Sequence, residues 1–179
     1  IYRMRSAASR MQNLINDLLT FSRVSSKVQP FQPVDLQKIA EEVVSDLEIR
    51  IEQTGARVEI RDLPKIDADA LQMRQLFQNL IGNALKFHRP DEPPVIKVYT
   101  KNYSLTGGSF YIAGEQVHTG GDNICEIVVE DNGIGFDEKY LDRIFTVFQR
   151  LHSRSEYEGS GVGLAVCRKI VERHGGEIT

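Results

Sequence analysis

The sequence predicts an α/β fold, a two-layer sandwich in which helices cover one face of a mixed sheet, preceded by a coiled-coil-like helix. Segments with apolar residues at helical spacing are interspersed with segments rich in β-branched residues, without the strict strand–helix–strand alternation of a parallel sheet. An apolar seven-residue repeat occupies the start of the chain. With 179 residues, 41% of them hydrophobic, the chain is long enough for one sizeable domain and an appendage.

The first helix is predicted to carry an apolar seam. Met4, Met11 and Leu18 lie seven residues apart, so they fall on one face of a helix. Such a face packs against a partner helix or, as an alternative, against the chain's own domain. Two prolines follow and interrupt the helix, which predicts a linker. The predicted divisions of the chain, which are helix, linker and principal domain, are 1–24, 25–34 and 35–179.

The principal domain is predicted to contain three long helices and several strands. Asp35 is a plausible N-cap for a helix that ends at Gly55, a C-cap residue. A second helix is predicted from Leu71 to Phe87, with Pro90 after it. Alternation and β-branched content predict the other elements. These are strands at 56–63, 94–104 and 123–131, a hairpin at 109–122 whose function the sequence does not indicate, and a last helix that ends at His174.

Composition excludes some classes of partner. The formal net charge is −3 and the sequence has no basic block, so nucleic-acid binding is not predicted. No apolar stretch approaches the ~18–20 residues of a membrane span, so no membrane contact is predicted within the chain. Cys125 and Cys167 have no CxxC spacing, which favours reduced, structural thiols and a cytoplasmic setting.

The second predicted helix carries an unusual polar face. Asn79 and Asn83 lie one turn apart, so both amides emerge on the same side, and Lys86 and Phe87 follow. Asn is a mediocre helix former, because its side chain competes for backbone hydrogen bonds. Two of them beside an apolar stripe therefore indicate a function for the amides.

A second motif, "VVEDNGIGF", follows a predicted strand. Asp131 ends the strand, and the pair Asn132–Gly133 is a strong turn signal. Taken alone, the motif is explained by a tight turn with an Asx side chain. With Gly135 two residues later, the backbone is open to a flat ring, and a buried carboxylate at the strand end would accept from the exocyclic amine of adenine.

A third motif, "GSGVGL", places glycines just before the last helix. Gly159, Gly161 and Gly163 would leave backbone N–H groups open to a phosphate, at the favourable end of the helix dipole. A flexible hinge explains the same cluster equally well. No Walker motif is present, and the spacing is not that of a dinucleotide fingerprint. Phe145 and Phe148 lie between the second and third motifs.

Together, and in this order, the motifs resemble the catalytic and ATP-binding domain of sensor histidine kinases. That domain belongs to the ATP-binding fold shared with gyrase, the ninety-kilodalton heat-shock chaperone and mismatch-repair ATPases. The resemblance covers about 35–179, while 1–24 resembles the second helix of the kinase dimerisation hairpin. The segment from Phe148 to Gly176 is similar to kinases joined to PAS or phytochrome-type sensors. A homodimer formed through the hairpin and a response-regulator receiver domain are the partners that the resemblance implies, as in two-component signal transduction.

The resemblance also implies roles for single residues. Asn83 would supply its amide oxygen to Mg²⁺, Lys86 would balance phosphate charge, and Phe87 would line the adenine pocket. Asp131 would bind the adenine amine. The other residues that the resemblance places at ATP are Gly133, Ile134, Gly135, Gly159, Gly161, Val162, Gly163 and Leu164, with Phe145 and Phe148 in an ATP lid at about 137–160. For the two phenylalanines, ordinary core anchors are the alternative.

The chemistry at Asn79 favours a kinase over a hydrolase. In the hydrolytic relatives a Glu at this position activates water, whereas an amide cannot accept the proton. Asn79, Asn83 and Lys86 are the candidate catalytic residues for transfer of the γ-phosphoryl of ATP to histidine. A hydrolytic domain of this fold and a nucleotide-sensing domain without transferase activity are the alternatives.

The phosphoacceptor motif of the resembled kinases is missing. None of the four histidines, His88, His118, His152 and His174, precedes an acidic residue as the acceptor does. We therefore expect the chain to be part of a longer protein, with the acceptor helix before it and further strands after Thr179.

Overall fold

The computed structural model describes residues 11, 12, 14–22, 24, 30–105, 108–112, 115–119, 123–151, 157 and 159–179. The chain divides into two compact units, and each is described by itself. We call Pro30–Gly135 the sheet unit, and the described residues of Ile1–Gln29 and Phe136–Thr179 the helical unit. The sequence predicted a single domain from residue 35 onward, and it did not indicate this division.

The strands of the sheet unit form two hydrogen-bonded sheets. One is antiparallel, in the order β1-β3-β5-β6, and the other has the order β2-β4-β7. The second sheet is mixed, because β2 runs parallel and β7 antiparallel to β4. The strands are β1 (Gln32–Asp35), β2 (Arg57–Arg61), β3 (Lys65–Ala68), β4 (Val95–Leu105), β5 (Gly108–Ile112), β6 (Glu115–Thr119) and β7 (Asn123–Asp131).

The predicted linker at 25–34 is shorter in the structure, because β1 occupies its end. Val34 of β1 is buried and lies opposite Ile66 of β3. Pro33 has no N–H to donate, and β1 tolerates it because this strand is at the edge of its sheet. The two prolines therefore indicate an edge strand as well as a break in the preceding helix.

Two of the three helices described in the sheet unit begin at side-chain caps. Asp35 Oδ1 accepts a hydrogen bond from the Lys38 amide at 3.2 Å, as predicted for this N-cap. Asp69 Oδ1 accepts from the Leu71 amide at 3.1 Å. Gly55, at φ +64°, is the predicted C-cap, but the helix before it is interrupted at Leu47. The helices are α2 (Leu36–Asp46), α3 (Glu48–Thr54) and α4 (Ala70–Lys86).

Helices α2 and α4 cover one face of the mixed sheet. Ile96 and Val98 of β4 are fully buried, whereas Lys97 between them pairs with Glu130 of β7 at 3.0 Å on the opposite face. This alternation is the one expected of a half-buried strand. The apolar face of α4 supplies much of the core, with Met73, Leu76, Phe77, Ile81, Ala84 and Leu85 buried. The α/β sandwich fold is confirmed, and it places the end of α4 beside the end of β7.

The helical unit contains α1, described at 11, 12, 14–22 and 24, and three later elements. Lys169 Nζ donates to the Phe21 carbonyl of α1 at 3.0 Å and lies 4.1 Å from the centre of the Phe21 ring. The later elements are a 3₁₀ turn (Glu138–Tyr140), α5 (Leu141–Ile144) and α6 (Gly163–Arg173).

The seam predicted for α1 can be followed in part. Met4 lies outside the described residues, while the side chains of Met11 and Leu18 are exposed. No helix in the described part of the chain is long and apolar enough to cross a membrane.

Candidate functional site

The end of α4 presents the predicted amide face. Asn79 Nδ2 is buried and has no hydrogen-bond partner among the described residues. Asn83 lies one turn later and is half-buried. Its backbone carbonyl accepts from the Phe87 amide at 2.9 Å, where the helix ends. Lys86 Nζ lies 4.3 Å from the centre of the Phe87 ring, so the cation and the aromatic wall are adjacent. A buried, unpartnered donor beside these groups is a feature expected of a ligand site.

The turn after β7 holds the predicted adenine-binding carboxylate. Asp131 Oδ1 accepts from the Gly133 amide at 2.8 Å. Among the described residues, no donor contacts Oδ2, which leaves that oxygen for a ligand amine. The sequence predicted a buried carboxylate, and this prediction was wrong, because Asp131 is exposed. A strand end that faces an open turn leaves the side chain in solvent.

Gly133 is where the turn meets the end of α4. The Ile134 amide donates to the Phe87 carbonyl at 2.9 Å, which draws the two backbones together. A Cβ at Gly133 would lie 2.5 Å from the Phe87 carbonyl oxygen and 2.6 Å from Asp131 Oδ1. No side chain fits there. Gly133 is therefore required because two protein backbones come into contact at this position, whether or not a ligand also approaches it.

Two residues that the sequence did not assign to the site hold this turn. Asn132 Oδ1 accepts from the Val95 amide at 2.8 Å, and its Nδ2 donates to the Pro93 carbonyl at 3.2 Å. Arg89 Nε donates to the Gly133 carbonyl at 3.2 Å. Asn132 was interpreted only as a turn residue. The adjacent prolines before β4 were the available signal, because they leave a backbone without donors.

In the helical unit, residues that precede the glycine-rich segment donate hydrogen bonds to its backbone carbonyls. The Phe148 amide donates to the Gly161 carbonyl at 3.0 Å, and Arg150 Nη1 donates to the Gly159 carbonyl at 2.7 Å. Arg150 Nη2 also donates to the Tyr157 carbonyl. Gly161 has φ +74°, and a Cβ there would lie 2.8 Å from the Gln149 carbonyl oxygen. Arg150, which no sequence motif indicated, is thus a principal contact of this segment.

The two predicted lid phenylalanines have different environments. Phe145 is buried, and the Arg168 guanidinium lies 4.4 Å from the centre of its ring. Phe148 is 56% exposed and has φ +65°, a strained conformation for a residue with a side chain. Phe145 therefore matches the core-anchor alternative, and Phe148 remains the candidate for contact with a ligand.

Helix α6 begins at the third predicted glycine, Gly163. Its N-cap is Val162, whose side chain cannot accept a hydrogen bond from the first turn. An N-terminus without a side-chain cap leaves N–H groups and the positive end of the helix dipole for an anion. Val162 is fully buried and Leu164 half-buried, so the Val162 side chain anchors the segment and the Leu164 side chain can contact a ligand.

The donor set fits Mg²⁺ bound mainly through phosphate and water. No group of three or more His, Cys, Asp or Glu side chains that could hold a metal occurs within the described ranges. The Asn83 amide oxygen is a hard ligand of the type Mg²⁺ accepts, and this ion commonly keeps water and substrate phosphate in its remaining positions. Asn83 could therefore hold the ion only together with a nucleotide.

The chain is similar in sequence to phytochrome-like proteins. The chain is 38% identical over 173 residues to the phytochrome-like protein Cph1 of Synechocystis sp., an alignment that covers 97% of this chain and 21% of the relative. It thus spans about a fifth of the length of the curated relatives it matches first. The resemblance to phytochrome-linked kinases that the sequence predicted is confirmed at this level.

Solved structures share the fold. A full-length ShkA structure in complex with AMPPNP is 24% identical, with a TM-score of 0.69 over 97% of this chain and 33% of that one. A structure of the histidine kinase ThkA in complex with the response regulator protein TrrA is 20% identical, with a TM-score of 0.63 over 98% of this chain and 44% of that one. At these identities the likeness establishes the fold alone.

Residues 68–179 match the family described as "Histidine kinase-, DNA gyrase B-, and HSP90-like ATPase". The match includes α4, the turn after β7 and the glycine-rich segment, which are the three regions described above. It covers more than half of the chain. The chain therefore belongs to the family of histidine kinase-, DNA gyrase B- and HSP90-like ATPases.

Proposed function

We propose that this chain binds ATP with Mg²⁺ and transfers the γ-phosphoryl group to a histidine on a dimerisation hairpin, for relay to a response-regulator aspartate. The geometry at Asp131 carries the proposal. One carboxylate oxygen is held by Gly133, the other has no donor among the described residues, and the residue is exposed. A carboxylate fixed in this way beside a glycine turn can accept from the 6-amine of adenine. The similarity to relatives named as a histidine kinase and a sensory kinase supports the transferase chemistry.

The base would be bound by residues of the sheet unit. The Asp131 carboxylate selects the adenine amine, and Gly133, Ile134 and Gly135 form the surface against which the ring lies. Phe87 adds an aromatic wall beside Lys86. Discrimination among purines would then depend on Asp131, because guanine carries a carbonyl where adenine carries the amine.

The phosphates would be bound by charge and by backbone N–H groups. Lys86 supplies a positive charge and Asn83 an amide oxygen for Mg²⁺, which when bound neutralises phosphate charge. The backbone of Gly159, Gly161 and Gly163 would supply N–H donors at the start of α6, with Leu164 and Phe148 as apolar contacts. The Val162 amide donates to Ser160 Oγ at 3.3 Å and would exchange this bond for one to phosphate. We propose these contacts by the resemblance of the motifs.

Transfer to histidine requires no general base from this domain. A neutral imidazole nitrogen, with a pKa of ~6.5, attacks the γ-phosphorus, the bond to the β–γ bridging oxygen breaks, ADP leaves, and the ring proton passes to solvent. The protein contributes position and charge stabilisation. Asn79 cannot take a proton from water, so hydrolysis is disfavoured.

Two partners are proposed on different grounds. The exposed apolar residues Met11, Ile15, Leu18 and Leu19 recur at helical spacing on α1, which supports a dimer formed through this helix and a hairpin partner. A response regulator is proposed because the structurally similar ThkA is solved in complex with one. We propose a cytoplasmic location, the compartment where such relays operate.

Calorimetry with a non-hydrolysable ATP analogue tests the site. Asn83→Ala should weaken the Mg²⁺-dependent part of binding about tenfold, because one charge-assisted ligand is lost. Asp131→Asn should reduce discrimination for adenine over guanine, and Gln78→Ala, another amide change on α4, should alter neither. Unchanged nucleotide binding in both site variants would contradict the assignment.

Phosphotransfer tests the reaction. The 179-residue chain should bind ATP but form no acid-labile, base-stable phosphohistidine on itself, and a preceding helix that carries the acceptor histidine should restore this product. Hydrolysis by the chain should stay near background, and Asn79→Glu would raise it only if water is also well placed. Rapid ATP turnover by the chain, together with no transfer after the helix is added, would refute the kinase function and place the chain with the hydrolytic relatives.

A further inference from the structure

We propose that Asn132 is a positioning residue for adenine selection. Its side chain fixes the turn that carries Asp131, although no motif assigns Asn132 to the nucleotide. The proposal rests on the proposed role of Asp131 as the residue that binds the adenine amine. It is carried by the contacts between Asn132 and residues 93–95, which precede β4.

The backbone alone cannot hold the end of β7 against β4. The antiparallel ladder between the two strands ends at the pair Ile96–Asp131. One step further, the chain before β4 contains Pro93 and Pro94, which have no N–H groups, so regular pairing cannot continue. The Pro94 carbonyl is already occupied, because it accepts from the Arg57 amide at 2.8 Å. The remaining groups are the Pro93 carbonyl and the Val95 amide.

The Asn132 amide satisfies both groups. Its Oδ1 accepts from the Val95 amide at 2.8 Å, and its Nδ2 donates to the Pro93 carbonyl at 3.2 Å. The side chain therefore continues the ladder where the backbone stops. Only a primary amide of this length combines an acceptor with a donor in one planar group. A carboxylate would keep the acceptor but place a negative oxygen against the Pro93 carbonyl.

The neighbouring carboxylate depends on this contact. Asp131 Oδ1 is held by the Gly133 amide, so the orientation of the carboxylate follows the conformation of 131–133. Asn132 is the central residue of that segment and its anchor towards β4. Arg89 Nε holds the Gly133 carbonyl at 3.2 Å from a side chain that is largely exposed. Loss of the Asn132 contacts would leave the turn attached mainly through Ile134 and Phe87, and the carboxylate would sample more orientations.

The test compares ATP with purine riboside triphosphate, which lacks the 6-amine, in calorimetric binding to the complete chain. The unmodified protein should prefer ATP by about tenfold, the contribution of one charge-assisted hydrogen bond. Asn132→Asp and Asn132→Ser should each reduce this preference to about twofold or less, with little change in affinity for the analogue. A role in folding alone would lower both affinities together.

The control is Thr100→Val in the middle of β4. Thr100 Oγ1 donates to the Asp62 carbonyl at 3.0 Å, so this variant also loses a side-chain contact to backbone. It should lower the melting temperature yet keep the preference for ATP. Preference is a ratio of affinities, so it can be measured for either Asn132 variant that folds, and melting curves show which do. Retention of the tenfold preference in a folded Asn132 variant would overturn the proposal.

The same measurements distinguish failure of the proposed function from failure of the role proposed for Asn132. If the unmodified protein binds neither nucleotide, the proposed function itself is wrong. If it binds both equally, Asp131 does not bind the amine, and the basis of the Asn132 proposal is removed. If Asp131→Asn abolishes the preference and both Asn132 variants keep it, only the positioning role is rejected.

Discussion

The turns at Gly133 and Gly161 each place a glycine where a side chain would collide with a backbone carbonyl, but the surroundings of the two turns differ. At Gly133 a Cβ would lie 2.5 Å from the Phe87 carbonyl oxygen, and at Gly161 a Cβ would lie 2.8 Å from the Gln149 carbonyl oxygen. The first turn follows the nine-residue strand β7 and touches the end of a 17-residue helix. The second is preceded by a 3₁₀ turn and by α5, a helix of only four residues.

The difference indicates which turn exists before the nucleotide binds. The turn at Gly133 is held by bonds that begin and end in regular secondary structure, so it should be preformed. The turn at Gly161 depends on Arg150 and on Phe148, whose backbone conformation is strained. Segments with few buried contacts open at low free energy. We expect the second turn to be ordered by the ligand, and the predictions below test this contrast.

The largest effect is expected for Gly133→Ala. The added Cβ cannot be accommodated between the Phe87 carbonyl and Asp131, so nucleotide affinity should fall about a hundredfold or more, and overpacking should cost about 1–3 kcal/mol of stability. Calorimetry and thermal melting measure the two effects.

The matched control is Gly82→Ala in α4, where a Cβ meets no atom within 4 Å. It should raise stability by about 0.5–1 kcal/mol, because alanine is the better helix former. Equal affinity loss in both variants would show that any added methyl group disturbs the site and that Gly133 has no special place.

Hydrogen exchange should separate the two turns directly. The Ile134 amide, bonded to the Phe87 carbonyl, should be protected with or without nucleotide. The Phe148 amide, bonded to the Gly161 carbonyl, should exchange at least about tenfold faster when no nucleotide is bound and become protected with a Mg²⁺–ATP analogue. Equal protection of Phe148 in both states would make the glycine-rich segment as preformed as the first turn.

A smaller effect is expected for Arg150→Met. The change removes the donors to the Gly159 and Tyr157 carbonyls, which water can replace, so stability should change little. Nucleotide affinity should fall about threefold to tenfold, because the ligand must order the segment without this support. The control is Arg143→Met, which loses a contact to the Gln149 side chain at 3.3 Å and the position of its guanidinium 5.7 Å from the centre of the Tyr140 ring, but no bond to the glycine-rich segment. A large fall in melting temperature for Arg150→Met would contradict a local role.

The smallest effect concerns the exposed face of the mixed sheet. Lys97 and then Tyr99 hydrogen-bond to Glu130, and the lysine contact holds the pKa of the glutamate below its usual value. This contribution to stability is present above the unfolded-state pKa of 4.5 and is lost as pH falls through the lower folded-state value. The Glu130→Gln variant should therefore have a slightly lower melting temperature than the unmodified protein at pH 7 and the same melting temperature at pH 2. Its nucleotide affinity should be unchanged. A pH-independent difference would assign the effect to packing.

The sequence predicted the elements whose signals are local. The cap at Asp35, the glycine after α3 and the extent of α4 follow from single residues and from the spacing of apolar positions. The order of the motifs was sufficient to indicate the family. The break at Leu47 was not predicted, because the apolar spacing continues across it and only hydrogen bonds within the folded chain mark the interruption.

The site was predicted less completely than the fold. The prolines before β4 indicated only that the backbone there lacks donors. Asn132 and Arg150 bond to backbone carbonyls of residues whose position depends on the tertiary structure, so no sequence pattern pairs these side chains with their partners. The exposure of Asp131 and the division of the phenylalanine pair were missed for the same reason. Two aromatic residues three apart look alike in sequence, while a neighbouring Arg168 and a positive φ distinguish Phe145 from Phe148 in the structure.

The two cysteines make the protein convenient for spectroscopic labelling. Burial raises the pKa of the Cys125 thiol to about 11, and the Thr100 hydrogen bond only partly offsets this effect. At neutral pH its thiolate fraction is on the order of a hundredfold below that of an ordinary thiol. Cys167 is fully buried. Leu141 is exposed at the start of α5, so a cysteine introduced by Leu141→Cys would react with a maleimide fluorophore before either native cysteine. Nucleotide-dependent ordering could then be followed without removing Cys125 or Cys167.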